Sequence, residues 1–279
     1  MAPHTRVCYQ RRVAGRVALV IVIACAAAAR AGGALDASAT VTVGDRVALE
    51  VDVHNEGDRP VSAVAPEVVY SGRSERGETI PELAPGERHG WVFDLPRPAE
   101  PGSIPAVIRV RYTGDDGRRA ALPVVATVST PGLLPVPEVR ATLTTSPVTR
   151  FARAVLLLDN PLPAPVHGRV VVVLPHGLTI EPESQPVEVP AQGRSEVPLM
   201  LQNRDEPPGV AVPIFALFDY DLDGRRHLAI ASTSADVAGG GPPIPPLAIG
   251  GGALGLALVL LALAWRRAAR RGPDPHVSG

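Results

Sequence analysis

Lysine is absent from this chain: all 27 residues counted as Lys+Arg are arginine, set against 28 Asp+Glu. The formal charge of −1 leaves no surplus of either sign, which excludes the electrostatic footprint of a nucleic-acid binder. Aromatic residues make up only 4%, so a stacking platform for sugars is poorly supplied. The two cysteines, Cys8 and Cys25, both fall within the first 31 residues. Removal of that stretch leaves no thiol, and disulfides, cysteine nucleophiles and thiolate metal sites are then excluded together. What is plentiful is apolar material, at 46%, punctuated by 27 Gly and 31 Pro. That content rules out wholesale disorder, and a Val-rich chain broken by Pro and Gly reads as β-sheet domains.

The two ends set the expected compartment. Arg6, Arg11, Arg12 and Arg16 precede an uncharged apolar run from Val17 to Ala29, and Ala29-Arg30-Ala31 offers a small-residue cleavage site. This is the pattern of a secretory signal peptide over residues 1–31. Val22-Ile23-Ala24-Cys25 also resembles a bacterial lipobox, in which Cys25 is lipidated and becomes the new N-terminus. Near the other end, Leu247 to Trp265 carries no charge and is followed by Arg266, Arg267, Arg270 and Arg271. At ~1.5 Å per residue such a run is about as long as the hydrocarbon core is thick. The arginines behind it place residues 266–279 in the cytoplasm. Residues 238–246 form a Gly/Pro stalk before the span. The expectation is a single-pass cell-membrane protein with its bulk extracytoplasmic. Gly251 and Gly255 lie four apart on the span, and such a small-residue face suits weak homodimerisation.

The middle is internally duplicated. Asn55-Glu56-Gly57-Asp58-Arg59-Pro60-Val61 corresponds to Asn160-Pro161-Leu162-Pro163-Ala164-Pro165-Val166. In the same order, Pro85-Gly86-Glu87 matches Gln192-Gly193-Arg194, Pro101-Gly102 matches Pro208-Gly209, and Asp116-Gly117-Arg118-Arg119 matches Asp223-Gly224-Arg225-Arg226. The copies stand about 105 to 107 residues apart, which is a tandem domain rather than a solenoid unit. Within the copies, Val47 to His54 alternates strictly, Trp91, Phe93 and Leu95 alternate with Val92 and Asp94, and Thr113 to Gly117 is a hairpin turn. The predicted fold is all-β: two tandem immunoglobulin-like β-sandwiches at 35–129 and 138–237, joined by a stiff linker at 130–137 and followed by one C-terminal transmembrane helix.

The order of an Asn-x-Gly turn, Leu83-Ala84-Pro85-Gly86-Glu87 and Pro101-Gly102 before a strand resembles the CARDB-type (cell-adhesion-related) bacterial domain. In the second copy, Leu174 to Pro182 followed by Ala191-Gln192-Gly193 is similar to the β-sandwich module appended to bacterial α-galactosidases. The resemblance implies an extracytoplasmic, non-catalytic module that spaces or adheres, and it carries over no functional residue.

One segment has the composition of a metal site. Asp219-Tyr220-Asp221-Leu222-Asp223-Gly224 matches the first half of an EF-hand loop, whose hard carboxylate oxygens suit calcium. Position 12 of that loop is Ile230 where a bidentate Glu is required, which favours a solvated hairpin over a calcium site at Asp219, Asp221 and Asp223. His54, His89, His167, His176 and His227 show no zinc spacing. No G-x-S-x-G elbow, P-loop or dinucleotide fingerprint is present, so the expectation is no enzyme and no cofactor. The function expected is an envelope interaction, adhesion or spacer module with an envelope-protein partner. A calcium- or glycan-binding accessory is the alternative.

Overall fold

Residues 35–130 and 138–239 are described by the computed structural model. They hold sixteen strands: β1 (Leu35–Val43), β2 (Val47–Asn55), β3 (Val61–Tyr70), β4 (Arg73–Arg76), β5 (Ile80–Leu83), β6 (Arg88–Leu95), β7 (Ser103–Thr113) and β8 (Arg119–Ser129) in the first half, then β9 (Arg140–Thr145), β10 (Phe151–Asp159), β11 (Val166–Val173), β12 (Leu178–Ile180), β13 (Ser184–Val189), β14 (Arg194–Asn203), β15 (Ala211–Leu222) and β16 (Arg225–Asp236) in the second. No helix occurs among the described residues, and none there is long and apolar enough to cross a membrane. The signal peptide with Cys25, nearly all of the stalk, the span with Gly251 and Gly255, and the arginine-rich tail lie outside the described residues, as do 131–137 of the linker.

The alternation of β2 shows why these segments are strands. Val47, Leu49, Val51 and Val53 are buried, whereas Ala48, Glu50 and Asp52 are exposed. A period of two puts every second side chain on one face, so the strand buries its valines only by facing a second sheet. That partner exists. Sheet β1-β2-β6 faces sheet β4-β3-β7-β8, with β5 also paired to β3, and both contribute side chains to one apolar core that includes Leu49, Ile108, Trp91 and Val128. In the second half, β12-β14-β10-β9 faces β13-β11-β15-β16 around Leu156, Leu158, Leu201, Ile214 and Phe218. Each half is a β-sandwich, and the strand order fits the immunoglobulin-like pattern.

The duplication extends to strand register. Glu50 faces Val92 across β2 and β6, and Val155 faces Pro198 across β10 and β14. The deepest sign of it is a pair of buried asparagines, Asn55 and Asn160. Asn55 Nδ2 donates to the carbonyls of Arg59 (2.8 Å) and Leu83 (3.0 Å), and its Oδ1 accepts from Gly57 N–H. Asn160 Nδ2 donates to the carbonyls of Ala164 and Pro190, and its Oδ1 accepts from Leu162 N–H. Each amide thus clips the end of one strand to the turn that enters the next. Buried backbone groups must find partners, and here a side chain supplies them.

Two sequence expectations are corrected. Gly86 is not the counterpart of Gly193: the left-handed residue of that turn is Gly86 (φ 76°) in the first copy and Gln192 (φ 48°) in the second. The bonds Glu87 N–H to Ala84 O and Gly193 N–H to Pro190 O fix this one-residue shift. Gly117 (φ 77°) and Gly224 (φ 69°) do correspond, both being left-handed at the β-hairpin turn. Thr130, expected in the linker, is buried and belongs to the first sandwich, where its N–H bonds Gly102 O at 3.1 Å and its hydroxyl accepts from Gly102 N–H at 2.8 Å.

The two sandwiches are not separate beads. A third apolar cluster, Val125, Val173, Phe215, Leu217 and Leu228 with half-buried Val107, Val171 and Ile230, joins the outer face of β7-β8 to that of β11-β15-β16. The result is four sheets in layers, with an apolar seam in the middle. Gly102 (φ 152°) forms a parallel bridge to Arg226 across this seam. A Cβ on Gly102 would stand 2.4 Å from the Arg226 carbonyl oxygen, so the close approach requires glycine.

Candidate functional site

Beside the seam the two sandwiches part to leave a cleft of about 950 Å³. Its inner wall continues the apolar seam through Val107, Val171 and Val173. Its rim carries Arg109, Arg111 and Arg119 from β7 and β8, and His176 and Glu183 from the loops around β12. Strand alternation puts Arg109 and Arg111 here: Ile108 and Val110 are buried in the first core, so the arginines between them face outward. Glu67 of β3 lies opposite Arg109 in register, yet its Oε2 sits 2.5 Å from Arg111 and its Oε1 accepts from Ser74 Oγ. Arg76 approaches the same carboxylate at 3.9 Å. One half-buried carboxylate is therefore shared by two arginines. Among the described residues Arg109 and Arg119 form no ion pair. Tyr112, also at the cleft, has its hydroxyl pushed above the usual tyrosine range by burial, with smaller contributions from the charges of Glu206 and Asp116.

The aspartates singled out in the sequence have a different setting. Asp223 (φ 51°) and Gly224 are the two central residues of a tight turn between β15 and β16, both left-handed, as a type I′ hairpin requires. Asp219 and Asp221 lie upstream on β15. Arg226 Nε donates to Asp219 Oδ1 at 2.7 Å, and a second bond from its Nη2 to Oδ2 completes a bidentate pair. That pair is the first cause of the raised Arg226 pKa, and the nearby charges of Asp221 and Glu100 add to it, while burial opposes it. The structure thus does not gather Asp219, Asp221 and Asp223 around a point. It uses Asp219 to hold the arginine whose backbone bridges to Gly102 at the seam. Among the described residues, no group of three or more His, Cys, Asp or Glu is placed to hold a metal ion. Trp91 is buried, and its indole N–H donates to the Glu78 carbonyl at 2.8 Å. His227 stacks on Tyr220 inside the second sandwich.

A second surface emerges from comparing the duplicated copies. The outward positions of β2 and β6 include Glu50, Asp52 and Asp94, with Ala48 and Val92 exposed apolar residues among them. The corresponding positions of β10 and β14 hold Val155, Leu157, Met200 and Pro198. Met200 is 54% exposed, Phe151 50%, and Val155 and Leu157 are half-buried, so the outer face of the second sandwich is more apolar than that of the first, with exposed Glu196 opposite Leu157. Arg153 stands opposite Met200, Arg150 lies over the Phe151 ring at 5.6 Å, and Arg140 is exposed on neighbouring β9.

Fold and surfaces together define a duplicated all-β sandwich protein. No protein-family model and no curated protein matches the chain, so neither the CARDB-type nor the α-galactosidase-module resemblance gains a family match. Among solved structures it is similar to red sea bream transglutaminase, at 15% identity over 72% of this chain and 31% of that one, with a TM-score of 0.28. It is also similar to a protein of unknown function from Porphyromonas gingivalis W83, at 16% identity over 71% of this chain and 99% of that one, with a TM-score of 0.23. At these scores neither likeness bears on activity. The assignment to the sandwich class rests on sheet order and the two enclosed cores.

Proposed function

We propose that this chain is a non-catalytic, membrane-anchored protein whose two-sandwich body lies outside the cytoplasm and docks an envelope protein through the outer face of its second sandwich. The single observation that carries the reading is the exchange of Glu50, Asp52 and Asp94 for Val155, Leu157 and Met200 at matched positions. Outward apolar residues on a soluble sheet cost solubility, and a contiguous patch of them marks an interaction surface. Arg140, Arg150 and Arg153 around the patch select a partner that presents apolar side chains ringed by carboxylates. The extracytoplasmic placement is supported by the leader and by the arginines after Trp265. The turn order resembling CARDB-type domains agrees with a spacing or adhesive role.

The test uses the full chain in its native membrane, with a photo-crosslinking residue at position 200 or at position 50. The expected result is an adduct of one defined mass from position 200, absent from position 50 and abolished by Val155→Glu with Leu157→Asp. Equal adducts from both positions, or none from position 200, refute the docking face.

A further inference from the structure

The cleft beside the seam has a chemistry that the docking face does not explain. Its inner wall is aliphatic, from Val107, Val171 and Val173, and its rim is cationic. Arg111 is neutralised by Glu67 at 2.5 Å, so its charge is spent within the protein. Among the described residues Arg109 and Arg119 form no ion pair, and Glu183 is the one carboxylate that lines the cavity. Both arginines are exposed, so their guanidinium donors face solvent beside the aliphatic wall and are free to take an acceptor from a ligand. At about 950 Å³ the cavity has the size of a small-molecule site, and it lies between two domains, where such sites concentrate.

We infer that this cleft binds an amphiphilic anion. Its aliphatic segment lies along Val107, Val171 and Val173, and its acidic head is held at the rim by Arg109 and Arg119. The arginine fork suits either a carboxylate or a phosphate head, because both offer paired oxygens. Strand register spreads the two arginines along β7 and β8, with Arg111 and Ala121 facing each other between their levels. The head therefore sits above Ala121, midway between the two arginines. Arg111 stays with Glu67, and the binding charge comes from the two unpaired arginines.

The experiment reads binding to the full chain in nanodiscs of zwitterionic lipid by saturation-transfer NMR, with empty nanodiscs as the blank. The probes are octanoate, octyl phosphate and uncharged octanol. Binding of at least one anion about tenfold or more tighter than octanol is expected, and the tighter of the two identifies a carboxylate or a phosphate head. Arg109→Gln with Arg119→Gln removes that preference, while Arg88→Gln on the outer face of the first sandwich leaves it unchanged. Ala121→Trp keeps every charge but fills the rim, and it lowers the affinity for the preferred anion by a similar factor. Thermal unfolding of each variant confirms the fold. Equal affinity for octanol and both anions, no anion binding at millimolar concentration, or insensitivity to both the double arginine variant and Ala121→Trp overturns the inference.

Discussion

Replacing Asn55 by alanine isolates the device that sets the strand ends of the first sandwich. Asn55 is fully buried, and its amide serves three backbone groups: the carbonyls of Arg59 and Leu83 and the N–H of Gly57. The Leu83 contact is buried and the other two are partly so, which weights the loss toward one carbonyl. An orphaned buried polar group costs ~1–3 kcal/mol, and a lost partly exposed bond about 0.5–1.5 kcal/mol. Asn55→Ala is therefore expected to cost about 3 kcal/mol. For a body of this size that lowers the melting midpoint by about 6–12 °C. Asn55→Asp keeps the acceptor for Gly57 but aims an anion at two carbonyl oxygens, so at neutral pH it is worse than alanine. Burial among those oxygens raises the introduced carboxyl's pKa above its unfolded value. The aspartate variant is thus relatively more stable below about pH 4, and that advantage is lost as pH rises. Trp91 fluorescence reports unfolding of the same sandwich, in a Trp265→Phe background. A loss below about 1 kcal/mol for Asn55→Ala, or an aspartate variant no worse than alanine at pH 7, would refute the clip.

Three further outcomes follow from individual contacts. Gly102→Ala pushes a methyl into the Arg226 carbonyl and is expected to cost about 2 kcal/mol or more in urea unfolding, whereas Gly117→Ala, with nothing within 4 Å of its new Cβ, costs only the ~1 kcal/mol of left-handed backbone strain. The Arg59 guanidinium hydrogen-bonds Asp115 and holds its carboxyl below the usual range, so the stability the pair contributes is complete above the ordinary carboxylate pKa and is lost as pH falls through the lowered value. Arg59→Ala moves the Asp115 titration midpoint, followed by NMR, back toward about 3.9. If Gly251 and Gly255 pair two spans, Gly251→Ile and Gly255→Ile each weaken the signal in a membrane two-hybrid, and an unchanged signal in both removes the dimer.

Much of the architecture is legible in the sequence because period-two alternation is a local signal. Val47 to Val53 states its inward face without reference to anything distant, and the Asp-Gly hairpins state their turns. Short edge strands such as β4 and β12 carry too few residues for alternation to appear. The one-residue slip between Gly86 and Gln192 escapes because sequence matching follows glycine identity, while the backbone places its left-handed residue by hydrogen bonding. The site residues were hidden for a different reason. Arg109 and Arg111 are outward positions of one strand until a second sheet is laid over them, and the hairpin at Asp219 does not show its pairing with Arg226 until the chain folds back. Phe151 and Met200 carry a signal only when set against their counterparts in the first copy.

The seam makes two sandwiches one body and borders the cleft, so its test is the most direct. Leu217 lies on β15 in the second sandwich and is buried in the seam, while Trp91 lies in the core of the first. Leu217→Arg places an unpaired charge between the two sheets. Thermal unfolding of the full chain in the Trp265→Phe background, followed by Trp91 fluorescence beside calorimetry, compares the otherwise native chain with this variant. The expected result is one shared transition for the native chain, and for Leu217→Arg a separation into two with the Trp91 midpoint lowered by several degrees. Two independent transitions in the native chain, with a Trp91 midpoint indifferent to Leu217→Arg, would contradict a joined body.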